Sequence, residues 1–245
     1  EQKAKEGEVR HKTIKAKDLW KYMILSYFET GSPDLFFKDT ANKRHNNKHL
    51  GMVRSLNLCN EFKNPVNENE IAVCNLASIN FAKVRNKDDM ARVVPIAIRA
   101  LDNIIDVSSY PVKKAEVTQK KRRSIGLGIM GEAELLATKG VMYGSKEHEA
   151  IIHEMYGALQ YYSEKTSQEL AEEKGTYPVW EGSEWEKRGM KMRNGYLNCL
   201  APTSSISILA GTTQSIEPVY KRKWFEENLS GLIPTVVPKL SPETY

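Results

Sequence analysis

Segments with helical and extended patterns alternate along this chain of 245 residues. That order is typical of α/β folds in which helices connect parallel strands. No stretch approaches the roughly 18 uninterrupted apolar residues that would indicate a membrane span, so we expect an α/β protein that does not enter a membrane. Helices are predicted over 17–30, 88–107, 128–139 and 145–175, extended segments over 55–62, 70–81 and 196–201, and a loop over 41–49.

Capping residues mark the ends of several predicted helices. Ser145 is placed to cap the longest helix and Gly175 to end it, while Gly31 is a stop signal for the first helix. A further short helix is expected after Pro202, ending near Gly211.

Charge and cysteine content exclude several classes of protein. A dispersed net charge of +5 is too small to indicate binding to nucleic acid, although it favours phosphorylated ligands. Cys59, Cys74 and Cys199 form no CxxC pair, which argues against a disulfide-rich secreted scaffold and a structural zinc site. We therefore expect a cytoplasmic protein without a metal site in this chain.

The segment 55–62 carries an amide, a thiol and a carboxylate at alternate positions. In an extended backbone, Asn57, Cys59 and Glu61 would share one face at roughly 6–7 Å spacing. They would offer an orienting amide, a sulfur centre and a general base. The alternative is that Cys59 is a small buried apolar side chain beside solvated neighbours. The turn-rich sequence that follows would allow Cys74 to return to the vicinity of Cys59.

The segment after Pro202 is rich in hydroxyl groups, at Thr203, Ser204, Ser205 and Ser207. If a helix begins here, its free N–H groups and its dipole favour a phosphate. The alternative is an ordinary Ser/Thr cap without a ligand.

Two further patterns have simpler interpretations. Residues 126–131 match GxGxxG, but the polar run before them is not the buried strand that a dinucleotide fingerprint requires, so the glycines are expected to allow close packing. The basic run Lys120–Arg123 is expected to be a solvated face.

Six motifs follow one another at compatible spacings and cover nearly the whole chain. Each is weak alone, but together they are specific. The series is similar to the large, catalytic subunit of ribonucleotide reductases. The motifs are Asn57-Leu58-Cys59-Asn60-Glu61, Cys74 to Asn80, Arg123 to Gly128, Met192 to Asn194, Ala201 to Ser207, and Ser215 to Pro218.

The resemblance implies the ten-stranded α/β barrel of that family, with Cys59 on a finger loop at its centre. Residues 1–245 would then be part of the barrel domain, without the N-terminal allosteric region and the C-terminal tail. The implied reaction converts ribonucleoside diphosphates (or triphosphates) to 2′-deoxyribonucleotides, the precursors of DNA.

Residue roles are implied by the same resemblance. Cys59 would become a thiyl radical that abstracts the 3′-hydrogen, Glu61 would be the base on the 3′-hydroxyl, and Asn57 would bind the substrate and hold Glu61. Cys74 would be half of a redox pair whose other cysteine lies upstream of this chain. Further substrate contacts would come from Leu58 and Asn60, and contacts to the diphosphate from Pro202, Thr203, Ser204, Ser205 and Ile206.

The resemblance also implies partners. These are a second large subunit, thioredoxin or glutaredoxin, and a small metal-containing subunit that generates the radical. No cofactor is expected in this chain itself, and ATP and dNTP effectors would bind outside it. Thr203–Ser207 and Lys221–Asn228 favour the small-subunit class, and adenosylcobalamin as the radical source is the alternative.

Two interpretations from other classes stay open. The chain would be a non-catalytic nucleotide-binding part of a split subunit, or a structural α/β domain whose thiols belong to the core. In each case, and also as a piece of a reductase, the isolated 245 residues are expected to be inactive.

Overall fold

The computed structural model describes residues 13–228, 231–237 and 240–241. The chain divides into two compact units, Glu1–Phe37 and Lys38–Tyr245. The first unit contains helix α1 (Ala16–Thr30), which ends at the left-handed Gly31 as predicted. No helix among the described residues is long and apolar enough to cross a membrane.

The second unit mixes helices and strands, which confirms the predicted α/β character. Its described helices are α2 (Lys38–Arg44), α3 (Lys87–Val107), α4 (Lys113–Arg122), α5 (Glu132–Lys139), α6 (Lys146–Lys174), α7 (Glu184–Lys187) and α8 (Ser204–Ala210), with a 3-10 helix at Lys48–Leu50. Its described strands are β1 (Leu76–Asn80), β2 (Gly126–Met130), β3 (Lys223–Asn228) and β4 (Gly231–Val236).

The described strands form two pairs. Strands β1 and β2 are parallel, with Leu76 opposite Gly126, and a single parallel bridge joins Leu127 to Asn198 on the other side of β2. Strands β3 and β4 are antiparallel. These strands do not close into a barrel within the described ranges, so the ten-stranded barrel stays a prediction.

The hydrophobic core forms where α3 and α6 pack on β1 and β2. The predicted stripe of α3, which includes Val94, Ile98 and Leu101, is fully buried, with Pro95 inside the helix. Helix α6 begins where predicted, because the Ser145 side chain accepts a hydrogen bond from the backbone N–H of His148.

Part of the predicted solvated basic face is buried, which corrects the sequence interpretation. Arg123 bonds Asp102 and Asp106 of α3 at 2.8–2.9 Å, and Arg122 is only 1% exposed. The interpretation holds for the exposed Lys120. It fails for the two arginines because neighbouring segments present carboxylates that pair with them.

Several boundaries also differ from prediction, and the extended segment 196–201 forms only a single bridge, at Asn198. The expected loop 41–49 contains the end of α2 and the 3-10 helix, because the Asn42 side chain bonds the Lys38 carbonyl and both backbone groups of Val53 at 2.8 Å. The expected helix 128–139 begins only at Glu132, since the preceding residues form β2 and the strand ends at the left-handed Gly131.

The first two GxGxxG glycines, Gly126 and Gly128, lie within β2, and the third, Gly131, directly follows the strand as the N-cap of α5. A Cβ at Gly128 would lie 2.2 Å from the backbone oxygen of Cys199, and one at Gly126 would lie 2.4 Å from the Cys199 Sγ. The glycines therefore allow the chain near residue 199 to cross this face of β2, in agreement with the predicted packing role.

Candidate active site

Cys59 lies on a turn, so the predicted strand over 55–62 is wrong. The Asn60 N–H bonds the Asn57 carbonyl at 3.1 Å, and Asn60 takes a left-handed conformation with φ of 64°. The Asn57 side-chain oxygen also accepts the Phe62 N–H at 3.0 Å, which closes the turn from inside. Leu58 at its tip is 93% exposed and Cys59 is exposed as well.

Asn57 and Glu61 meet at the base of this turn instead of lying in a row with Cys59. The Asn57 Nδ2 donates to a Glu61 carboxylate oxygen at 2.6 Å. Phe62, the next residue, is buried and packs near the Tyr196 ring. The buried aromatic side chain therefore anchors a turn whose polar groups remain accessible.

Cys74 returns to this turn, as its spacing from Cys59 suggested. Its sulfur lies 3.7 Å from the Asn57 Nδ2, the nitrogen that also bonds Glu61. Although the thiol reaches solvent, partial desolvation raises its pKa, and the charges of Glu61 and Cys59 raise it further. Cys74 itself lies before β1, because only Leu76–Asn80 of the predicted segment 70–81 forms a strand.

Cys199 is a third thiol near this site, which the sequence interpretation left without a role. It is half-buried over Gly126, where its Sγ lies beside the Leu76 side chain. Burial raises its pKa to about 12, with smaller contributions from the charges of Glu61 and Cys74. The only sequence signal was its place in the strand-like segment before Pro202, because its neighbours are distant in sequence.

The turn at Pro202 follows directly after Cys199. Thr203 is left-handed with φ of 60°, and its hydroxyl accepts the Ser215 N–H at 2.8 Å. Pro202, Ser204, Ser205 and Ile206 are exposed at the start of α8, which ends at Gly211 as predicted. The motifs Ala201–Ser207 and Ser215–Pro218 therefore meet at one turn, which follows Cys199 closely in the sequence.

Two other motifs meet on Asp102 instead of at the thiols. This fully buried carboxylate bonds Arg123, and Arg193 and Asn194 reach it at 3.4 and 3.0 Å. These motifs serve packing between α3 and the neighbouring segments. Among the residues that the structure describes, no group of three or more His, Cys, Asp or Glu could hold a metal ion.

Comparison with known proteins gives one consistent family. The family profile described as "Ribonucleotide reductase, barrel domain" matches residues 1–192 and 186–243. The ribonucleoside-diphosphate reductase subunit alpha of Helicobacter pylori is 40% identical over 98% of this chain and 42% of its own length. The corresponding subunit of Treponema pallidum is 34% identical over 98% of this chain and 34% of its own length.

A relative with a different name matches as well. The vitamin B12-dependent ribonucleoside-diphosphate reductase of Thermoplasma acidophilum is 39% identical over 90% of this chain and 29% of its own length. The chain thus spans less than half the length of these curated relatives.

Proposed function

Since this chain belongs to the ribonucleotide reductase barrel family, we propose that the protein containing it reduces ribonucleoside diphosphates to 2′-deoxyribonucleoside diphosphates. The proposal is supported above all by one observation. Asn57 contacts both Glu61 and Cys74 at the base of the turn that carries the exposed Cys59. An amide, a carboxylate and two thiols are thereby gathered where a substrate can reach them.

The proposed first step uses the exposed turn. A thiyl radical on Cys59 takes the hydrogen from the 3′ carbon, and Glu61 accepts the proton of the 3′-hydroxyl. Asn57 holds Glu61 in place through the hydrogen bond of 2.6 Å. Leu58 and Asn60 flank the thiol on the same turn and contact the bound nucleotide.

The net reaction needs two electrons. The 2′ C–O bond breaks, a C–H bond forms, the hydroxyl leaves as water, and two thiols become one disulfide. Cys74 supplies one thiol, and partial burial, which raises its pKa, further favours the protonated form that delivers hydrogen. The second thiol belongs to the part of the protein outside this chain, and thioredoxin or glutaredoxin restores both thiols.

The diphosphate is proposed to bind at Pro202–Ile206. Exposed Ser204 and Ser205 hydroxyls and the first backbone N–H groups of α8 supply donors there. The hydrogen bond from Ser215 to Thr203 holds the left-handed turn in place.

The radical on Cys59 has to be generated by another group. We favour a small metal-containing subunit, on the basis of Thr203–Ser207 and Lys221–Asn228, with a dimer of large subunits as the assembly. The Thermoplasma relative keeps adenosylcobalamin as the second candidate.

Glu61→Gln in the full-length protein tests the proposal. The amide cannot accept the 3′-hydroxyl proton, so kcat should fall by roughly 100-fold or more, while binding of the ribonucleoside diphosphate persists. Deoxynucleotide formation would be measured with the radical source and a dithiol reductant present.

The matched control is Glu173→Gln, which removes a carboxylate from the exposed Arg99–Glu173 pair, 99 residues after Cys74 in the sequence. This control should keep wild-type turnover. Wild-type turnover by Glu61→Gln would contradict the proposed base, and absence of product from the wild-type protein would contradict the proposed reaction.

A further inference from the structure

The loop between the Cys59 turn and Cys74, residues 63–73, is held along α4. The Lys114 ammonium bonds the Glu68 carbonyl at 2.6 Å, and the Thr118 hydroxyl accepts the Ile71 N–H at 3.1 Å. We call this segment the connecting loop. Its contacts with α4 matter because the loop determines where Cys74 lies relative to the turn.

Arg122 makes the most buried of these contacts. Its guanidinium bonds the Pro65 carbonyl and the Glu70 carboxylate, and Lys121 bonds the other Glu70 oxygen. One planar side chain thus joins two points of the connecting loop that are five residues apart. The N–H groups of a guanidinium point in fixed directions. They therefore restrict the relative positions of two acceptors more than a lysine ammonium does.

The Arg122–Glu70 ion pair contributes little net stability, because burying its charges costs desolvation free energy. Arg122 is 1% exposed, and its Nε is buried without a hydrogen-bond partner in the described structure. Buried ion pairs are often no more stabilising than well-packed apolar side chains of similar volume. The distinctive property of this pair is therefore the geometry that it imposes on the connecting loop.

Cys74 lies between two residues that are bound to neighbouring elements, Glu70 before it and Asn75 after it. Glu70 is four residues before it, and Asn75 directly after it bonds the Gly126 N–H at 2.9 Å and the Leu101 carbonyl at 2.8 Å. Residues 71–75 have no regular secondary structure of their own. The position of the thiol is thus set from both sides by contacts to α3, α4 and β2.

We propose that Arg122 and Glu70 are positioning residues, which fix Cys74 beside Asn57 and the Cys59 turn. Their role in turnover rests on the proposed function, because they touch no reacting atom. Their effect on the thiol geometry does not depend on it and can be measured separately.

The test is alkylation of Cys74 in the full-length protein as a function of pH, followed by mass spectrometry. In Glu70→Gln the shape is kept but the ion pair is lost, so Cys74 should leave its place beside Asn57 and Glu61. It should then lose part of the desolvation that chiefly raises its pKa, together with the smaller effects of the Glu61 and Cys59 charges. Its alkylation near neutral pH should rise severalfold. Arg122→Lys keeps the positive charge but loses the planar guanidinium. It should therefore also raise the alkylation of Cys74 near neutral pH.

Two controls separate positioning from general loosening of the fold. Glu173→Gln removes an exposed bidentate pair with Arg99, at 2.6–2.7 Å, and should leave the alkylation profile of Cys74 unchanged. Half-buried Cys199 should stay as protected as in the wild type in all three variants. Equal labelling of Cys199 and Cys74, or an unchanged Cys74 profile in Glu70→Gln and Arg122→Lys, would overturn the proposal.

Turnover gives the second readout. Misplacing Cys74 should lower kcat by roughly 10- to 100-fold and leave the KM for the nucleotide unchanged, since the Pro202 turn is intact. A changed KM with normal kcat would contradict a positioning role. If the wild-type protein forms no deoxynucleotide, the proposed function fails, while alkylation still decides the positioning of Cys74.

Discussion

Asn57 organises the candidate site at the scale of single residues. Its side-chain oxygen accepts the Phe62 N–H, and its nitrogen donates to Glu61 and lies 3.7 Å from the Cys74 sulfur. One amide therefore closes the turn and joins the carboxylate to the thiol. This explains why a polar residue stands here, where an apolar one would leave the Phe62 N–H without its partner.

Cys199 gives a prediction about pH at the same scale. Its pKa rises from 9.0 to about 12 in the folded protein, chiefly through burial. Above pH 9 the unfolded chain loses this proton while the folded chain keeps it. The free energy of unfolding should therefore fall between pH 9 and pH 12, by at most about 1.4 kcal/mol per pH unit from this group.

Urea unfolding of the full-length protein and of Cys199→Ser at pH 8, 9 and 10 checks this. Serine does not titrate in that range, so the variant should lose less stability than the wild type as the pH rises. If the free energy of unfolding fell equally with pH in both proteins, burial would not be raising the pKa of Cys199.

At the scale of elements, the features that depend on local sequence were predicted correctly, whereas those that depend on long-range contacts were missed. The ends of α6 followed from Ser145 and Gly175, because a cap acts within one turn of its helix. The Cys59 turn was missed because its conformation depends on the left-handed Asn60 and on the hydrogen bond from Phe62 to Asn57. An alternating pattern of side chains carries no information about either feature.

The glycine face of β2 yields a prediction about packing. A Cβ in Gly128→Ala would lie 2.2 Å from a backbone oxygen that has no freedom to rotate away. The chain at Cys199 would have to shift, which should lower the free energy of unfolding by about 1–3 kcal/mol.

Gly157→Ala is the matched control, because this exposed glycine lies in α6 with nothing within 4 Å of the new Cβ. That variant should be as stable as the wild type or up to about 1 kcal/mol more stable. Urea unfolding compares the two variants. Equal stability of both would show that the chain near Cys199 can move away from β2 without cost.

At the scale of the whole molecule, Asp102 joins segments that lie far apart in sequence. It belongs to α3 and pairs with Arg123 after α4, Lys174 at the end of α6 and Arg193. The sequence marked Arg123 and Arg193 through family motifs, but it gave no sign that both converge on one buried carboxylate. Such a junction depends on the complete fold and has no local pattern.

Asp102→Asn should therefore be strongly destabilising. The carboxylate is fully buried, and removing one partner of a buried ion pair typically costs about 3–5 kcal/mol. Glu173→Gln, in the exposed pair with Arg99, should cost far less, because solvent screens an exposed ion pair. Urea unfolding measures the loss of free energy in both variants. A loss below about 1 kcal/mol for Asp102→Asn would show that Asp102 does not hold these segments together.

We propose that Cys59 begins ribonucleotide reduction on its exposed turn. The most direct measurement is deoxynucleotide formation by full-length wild type and Cys59→Ala, with the radical source and a dithiol reductant, alongside the Kd for the ribonucleoside diphosphate. We predict product from the wild type, none from Cys59→Ala, and the same Kd for both proteins. Product formation by Cys59→Ala at the wild-type rate would show that Cys59 does not carry the radical.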